Sequence, residues 1–515
     1  MHLPNRRRFL QNVGRGMLAA SVGPALAFDL RLATAADAEG SDRLTFGPQE
    51  RLVDLLQSSS PDTMLRLVVA ELKRGASLNE LTAAAALANA RAFAGEDYVG
   101  FHTLMALRPA LTMANELTGP AAALPVLKVL YRNSSRITEA GAAAHDALQP
   151  VAASASDAGG SKAIREALHR RERLDAERAL VASTLDSPAT GFNDLLPAVE
   201  DGVEVHRIVL AARAWDMISL VGEENAATML RQSLRYCLKN EERAAERFSG
   251  LRAMLPRLME KHQLETRPWG TREVDDAWVT EMVQTLWTSS PDDAAEVVAQ
   301  AIVEGIAPSR IFEAISLRTN QLVLCDPGRK KEWAAPGKPE GSVHGDSMGV
   351  HASDAAHAWR TIALASEARQ RNAALVLAAW HCAQDGGPTT DAAKWPARPL
   401  PMQLERVKGT TQVELLGSLD EAIRANDQEL ACAVTSRYGA AGHEARPLME
   451  MLRGYAISQD GALHAEKYYY TVRSNFEATS PAMRWRHVVA LSRVTASEYG
   501  HPAAGLEEAK GLVGA

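Results

Sequence analysis

Familiar catalytic signatures are missing from this chain of 515 residues, and each absence removes a class of function. There is no C-x-x-C-H for covalent haem, no G-x-S-x-G nucleophile elbow, no H-E-x-x-H and no phosphate loop. A Rossmann fingerprint is also missing, which argues against a tightly bound nucleotide. The four cysteines, Cys237, Cys325, Cys382 and Cys432, are scattered and form no C-x-x-C, so a cysteine-type structural zinc is unsupported. In an oxidising compartment they allow one or two disulfides, whose pairing the spacing does not decide. Aromatic residues make up only 5% against 46% hydrophobic, so the core is built mostly of Ala, Leu and Val, which favours closely packed helices. Nowhere do β-branched residues alternate over a strand's length. A net charge of −7, with no basic block beyond the first residues, leaves no electrostatic footprint for nucleic acid.

The first residues carry an address. Asn5-Arg6-Arg7-Arg8-Phe9-Leu10-Gln11 has the twin-arginine pattern, and the weakly apolar stretch Val13 to Val22 that follows is diluted by Gly14, Arg15 and Gly16. That stretch is far short of the roughly 20 apolar residues that span a bilayer. Residues 1–27 therefore read as an export signal ending in the small-x-small site Ala25-Leu26-Ala27, with the mature chain starting near Phe28. The expected location is periplasmic or secreted. The twin-arginine translocase is the expected partner during export, and no membrane span is expected in the mature chain. Because this route moves folded proteins, a cofactor inserted before export becomes an expectation, resting on the export class and not on a ligand motif.

What the chain has is a repeat. Ser59-Ser60-Pro61-Asp62 returns as Ser289-Ser290-Pro291-Asp292, and the same displacement carries Val53 onto Val283, Val68 onto Val298, Gly75 onto Gly305 and Leu87 onto Leu317. An insertion in the second copy, Cys325 to about Val343, then lengthens the displacement. At the new offset Asp97, Gly100 and His102 fall on Asp346, Gly349 and His351, so Asp-x-x-Gly-x-His is written twice. Later, Asp201-Gly202 precedes His206 as Asp460-Gly461 precedes His464. Repeats of this kind set the fold. The expectation is an all-α, internally duplicated protein with two pseudo-twofold-related halves, residues 45–262 and 275–510, sharing one core.

Local patterns agree with helices. Leu65, Val68, Val69 and Leu72 form an i, i+3, i+4, i+7 stripe, opened by Ser60 as N-cap with Pro61 at the first helical position and closed by Gly75. Ser77-Leu78-Asn79-Glu80 makes a capping box that opens a second helix through Ala92. Pro150 to Gly160 reads as a linker, while Asp326 to Gly345 and Gly386 to Pro401 are long loops able to cover a site.

In both copies of the trio the histidine sits in the first turn of a helix, whose N-terminus lowers the imidazole pKa and keeps it neutral for metal binding or proton transfer. Asp97 and Asp346 are candidate ligands or tautomer-fixing partners. The plainer reading is that Asp caps the helix, Gly permits the turn and His fills a polar corner. His344, in the loop before the second copy, is a further candidate ligand, whereas His357 lies six residues past His351 and faces another side of their helix. His206 and His464 are the expected completing ligands or acid/base residues, although lone helical histidines are usually structural. If the four helix starts converge, four imidazoles and two carboxylates suit a transition metal, Fe or Cu before Zn. Arg108 and Arg360 follow the early histidines and are candidates to orient an anionic substrate. Asp385, Asp391 and Trp395 are candidate rim residues.

Gly349-Val350-His351-Ala-Ser-Asp-Ala-Ala-His-Ala-Trp-Arg360, followed by Ala373-Ala-Leu-Val-Leu-Ala-Ala-Trp380, resembles the questin oxidase-like family. Asp460-Gly-Ala-Leu-His464-Ala-Glu-Lys467 is similar to that family's Asp-x-x-His-x-x-Lys element, with one residue more. The resemblance covers about a hundred residues of the second half and implies an all-helical, oxygen-dependent enzyme of Baeyer–Villiger type acting on polycyclic ketones. The chain departs from it in its export signal and its doubled Asp-x-x-Gly-x-His. Two functions follow: an exported metal-dependent oxidoreductase acting on a small organic substrate, with His102, His351, His344, Asp97 and Asp346 as metal residues and His206, His464 and Arg360 as catalytic ones; or a non-catalytic helical-repeat protein that binds a ligand or partner.

Overall fold

The low aromatic and high alanine content is realised as 23 α-helices and no strand among the described residues of the computed structural model, 43–153, 159–384 and 394–515. The export signal, residues 1–27, lies outside them, as do Asp385, Asp391 and part of the 150–160 linker. No helix among the described residues is long and apolar enough to cross a membrane.

The chain forms two compact units that interleave in sequence. The first holds the described residues up to Leu107 with Leu130–Val199 and Arg213–Arg243; the second holds Arg108–Val129, Glu200–Ala212 and Ala244–Ala515. This division differs from one at residues 262–275. Segments 108–129 and 200–212, and everything from 244 onward, belong to the second unit.

The first unit is organised on Leu78–Phe93. Ser77 accepts the Glu80 amide and the Glu80 carboxylate accepts the Ser77 amide, so the capping box forms and two orphan donors are satisfied. From Leu81 to Phe93 every residue is buried, as suits a helix apolar on all faces. The exception in chemistry is Arg91, which donates to Gln57, Glu50 and Asp54, pairing a buried charge instead of leaving it bare.

In the second unit Pro308–Cys325 is the equally buried helix. Met348–Ala365 packs against it, against Ala368–Gln384 and against His464–Ala478. Several helix starts keep the sequence displacement: Pro61–Lys73 corresponds to Pro291–Val303, and Leu78–Phe93 to Pro308–Cys325. Their caps differ in detail. The Ser290 hydroxyl accepts the Asp293 amide, whereas the Ser60 hydroxyl bonds to Thr63 and leaves its helix without a side-chain cap.

The glycine of each Asp-x-x-Gly-x-His serves packing and not a turn. Gly100 and Gly349 lie inside the first turns of Tyr98–Asn115 and Met348–Ala365. A Cβ on Gly100 would sit 2.6 Å from the Phe93 ring, and one on Gly349 2.6 Å from the Val323 amide nitrogen. In both copies, therefore, glycine lets the histidine-bearing helix start against the end of the preceding one. The four cysteines are buried.

Candidate functional site

The second unit gathers three of the expected histidines. His351 rides the first turn of Met348–Ala365, and His464 opens His464–Ala478. Their Nε2 atoms face each other at 3.3 Å, with ring centroids 5.3 Å apart. At that separation one ring donates to the other; it is also the spacing of two nitrogens that share an ion. His206, in the first turn of Val205–Val221, stands edge-on to His351 with ring centroids 5.6 Å apart.

Each ring is held by a different device. The Glu204 carboxylate takes the His206 Nδ1 proton at 2.5 Å and also accepts the His206 and Arg207 amides, so one residue both caps the helix and sets the tautomer with its lone pair at Nε2. His464 is set by backbone strain. Gly461, Ala462 and Leu463 all have positive φ, of 50°, 47° and 67°, in the turn just before it. For Ala and Leu this conformation costs about 1 kcal/mol or more each, which the surroundings must over-determine. They do so through Lys128, whose ammonium donates to the carbonyls of Ala456 (2.8 Å) and Gln459 (2.5 Å) and pairs with the buried Glu466 carboxylate at 2.6 Å. Gly345 passes directly over His464: a Cβ there would lie 2.1 Å from that of the histidine, so no other residue fits.

The electrostatics favour neutral imidazoles. His351 keeps some accessible surface, yet its Nε2 faces inward to His464 and protein encloses most of its surroundings. Burial, helped by His206 and Lys467 and opposed by Glu204 and Asp346, pushes its pKa down to about 4. Burial likewise takes His344 to about 4, against the pull of Asp346. Glu498, at the end of Trp485–Glu498, moves the other way: burial raises it to about 7, although it accepts the Gly345 amide at 2.7 Å. Its carboxylate lies 3.8 Å from His344 Nδ1. His344, Glu498 and His464 share the wall of a cavity of about 200 Å³.

The remaining expected residues have other roles. His102 belongs to the first unit, where its Nδ1 donates to the Tyr98 carbonyl at 2.7 Å and its ring lies against Tyr98 and Phe101. Asp97 accepts the Gly100 amide at 2.8 Å and the Nε and Nη2 of the Arg136 guanidinium, and although burial alone would raise its pKa, these partners hold it below the usual carboxylate range. Asp346 is engaged by Arg329 at 2.7 Å and Lys338 at 2.5 Å, which outweigh burial in the same way. Both carboxylates are thus occupied by cations. Arg360 reaches Ser474, nine residues along its helix from His351, roughly 13 Å along the axis. His357 packs on the Tyr470 ring, on a different side of the helix from His351. Trp395 is 46% exposed beneath Arg398.

Sequence reasoning missed Glu204, Glu498 and Lys128. Glu204, two residues before His206, carried a local signal, whereas the other two reach the site only through tertiary packing. Among the described residues no group of three or more His, Cys, Asp or Glu is arranged as a closed metal-holding cluster. Comparison with protein-family models, with curated proteins and with solved structures returns no match for this chain.

Proposed function

We propose that the chain is an exported, metal-dependent oxidoreductase whose ion is held in the second unit by His351, His464 and His206. The observation that carries this reading is the 3.3 Å approach of the His351 and His464 Nε2 atoms. Two imidazole nitrogens bound at ~2.1 Å to one ion, at ~90–110°, lie roughly 3.0–3.4 Å apart. The 5.6 Å centroid spacing of His206 from His351 suits a third ligand that is adjacent but not yet closed on the pair. Imidazole donors fit Fe, Cu or Zn. Such an ion supplies a place to activate dioxygen or to polarise a bound organic substrate.

The protein's own part is preparation. Burial keeps His351 uncharged, Glu204 aims the His206 lone pair, and the strained turn after Asp460 fixes His464. Glu498 holds a proton near neutrality beside His344 and serves transfer to or from a substrate in the adjoining cavity. The questin oxidase-like resemblance supports the oxygen-dependent class. The twin-arginine pattern supports periplasmic export of a folded, loaded protein.

Metal analysis of protein purified from the periplasm tests the reading. The expected result is about one equivalent of Fe or Cu, removed by a chelator with loss of thermal stability, since a ligand that binds only the folded state stabilises it. A metal-free protein that is fully folded and gains no stability from Fe, Cu, Zn or Mn would instead favour a non-catalytic helical ligand-binding protein.

A further inference from the structure

The insertion Cys325 to Val343, which the first half of the sequence lacks, builds one wall of a cavity of about 380 Å³ whose other wall is the start of Met348–Ala365. The volume is at the lower end of small-molecule sites, ~300–1,000 Å³. Leu322, Pro327 and Met348 give it an apolar lining, and Trp333, 62% exposed, stands at its rim with the Lys330 ammonium 5.3 Å from the ring centre. We infer that this cavity binds a small ring-bearing carboxylate, the ring against Trp333 and Met348 and the anionic end at the N-terminus of Met348–Ala365.

Four observations point to an anion. The helix is 18 residues long and Ser347 at its N-cap makes no side-chain cap bond, so its first amides face the cavity with the positive end of the dipole behind them. The Ser347 hydroxyl has no hydrogen-bond partner among the described residues. The His344 side chain, 5% exposed and part of the same wall, has an Nε2 that is likewise without a partner among them. Arg329 adds a guanidinium whose Nη2 is held by Asp346 while its Nε bonds to nothing described. The acidic residues of the wall do not cancel this. Asp346 is set against two cations, Arg329 and Lys338, and the Asp326 carboxylate is occupied by the Gly328 amide. His344 and Asp346 also line the 200 Å³ cavity that reaches His464, so they stand between the binding pocket and the histidine site.

The pocket's role as a substrate site rests on the metal reading above, but its ligand chemistry is tested separately. Calorimetric titration of the purified, chelator-treated chain with 2-naphthoate and with the neutral isostere 2-naphthamide should show naphthoate binding at least about tenfold tighter, the loss typical of a hydrogen bond to a charged group. Arg329→Met should weaken naphthoate about tenfold. Met348→Trp, at a side chain 51% exposed and therefore tolerant in the fold, should block both ligands by filling the pocket. Equal affinity for acid and amide, or naphthoate binding undiminished in Met348→Trp, overturns the inference. Naphthoate binding by a chain that takes up no metal upholds the pocket and sinks the metal reading, and metal uptake without naphthoate binding does the reverse.

Discussion

In the first Asp-x-x-Gly-x-His, Asp97 bonds its own helix start and Arg136, and His102 gives its Nδ1 proton to the carbonyl one turn back. In the second, Asp346 has turned away to Arg329 and Lys338, the helix start lacks a side-chain cap, and His351 faces another imidazole. The glycine alone keeps one job, close packing on the preceding helix. Steric demands of a helix pair are thus shared by both copies, while polar partners follow whatever the surrounding chain supplies. Here the insertion supplies Arg329 and Lys338, which draw Asp346 off its cap and leave the helix N-terminus open to a cavity.

The largest expected effect is at the second copy. His351→Ala and His464→Ala should each abolish bound metal and turnover, read by elemental analysis and activity, with an unchanged helical circular-dichroism spectrum. Full metal in either variant would end the proposed centre. Glu204→Gln should weaken metal affinity about 10- to 100-fold through the His206 tautomer, measured by competition with a chelator.

His102→Ala is the experiment most able to break the contrast between copies. His102 lies in the first unit with its Nδ1 on the Tyr98 carbonyl, so full metal content is expected in the variant; a fall in bound metal would give the first copy a share in the centre. Acidification sharpens the contrast further. The unfolded His351 takes a proton near pH 6.5 and the folded one only near 4. The unfolded state therefore binds more protons in that window, and stability present above pH 6.5 is lost as pH falls toward 4. His351→Gln should flatten this acid loss in the metal-free protein by on the order of 2–3 kcal/mol, read by urea unfolding at pH 7 and pH 4.5. A pH dependence unchanged by the substitution would count against burial of a neutral ring. Smallest of all, Asp97→Asn should cost about 1 kcal/mol, because its ion pair is partly solvated and Asn still caps a helix. Asp346→Asn, which gives up ion pairs to both Arg329 and Lys338, should cost a similar ~1 kcal/mol and strengthen 2-naphthoate binding by removing a negative charge from the cavity wall.

The sequence by itself determined the helical class, the capping box at Ser77 and the helix start after Ser60, and it offered five candidate histidines, of which His206, His351 and His464 come together while His102 does not. These are local matters: period, cap and breaker act within a few residues, and polar residues at matching places in a repeat are readable without coordinates. It did not determine that the compact units interleave, because burial of an apolar face does not say which distant helix covers it. Nor did it reveal that Asp346 is taken by Arg329 and Lys338, that Arg360 lies well along the helix from His351, or that Glu498 and Lys128 support the site. Those facts are set by long-range packing, where a buried charge must find a partner wherever the fold brings one. Tertiary structure decided that His351 and His464 face each other at 3.3 Å, and it is this approach, made possible by the strained turn at Gly461–Leu463 and the bare backbone of Gly345, that turns two separated letters into one site.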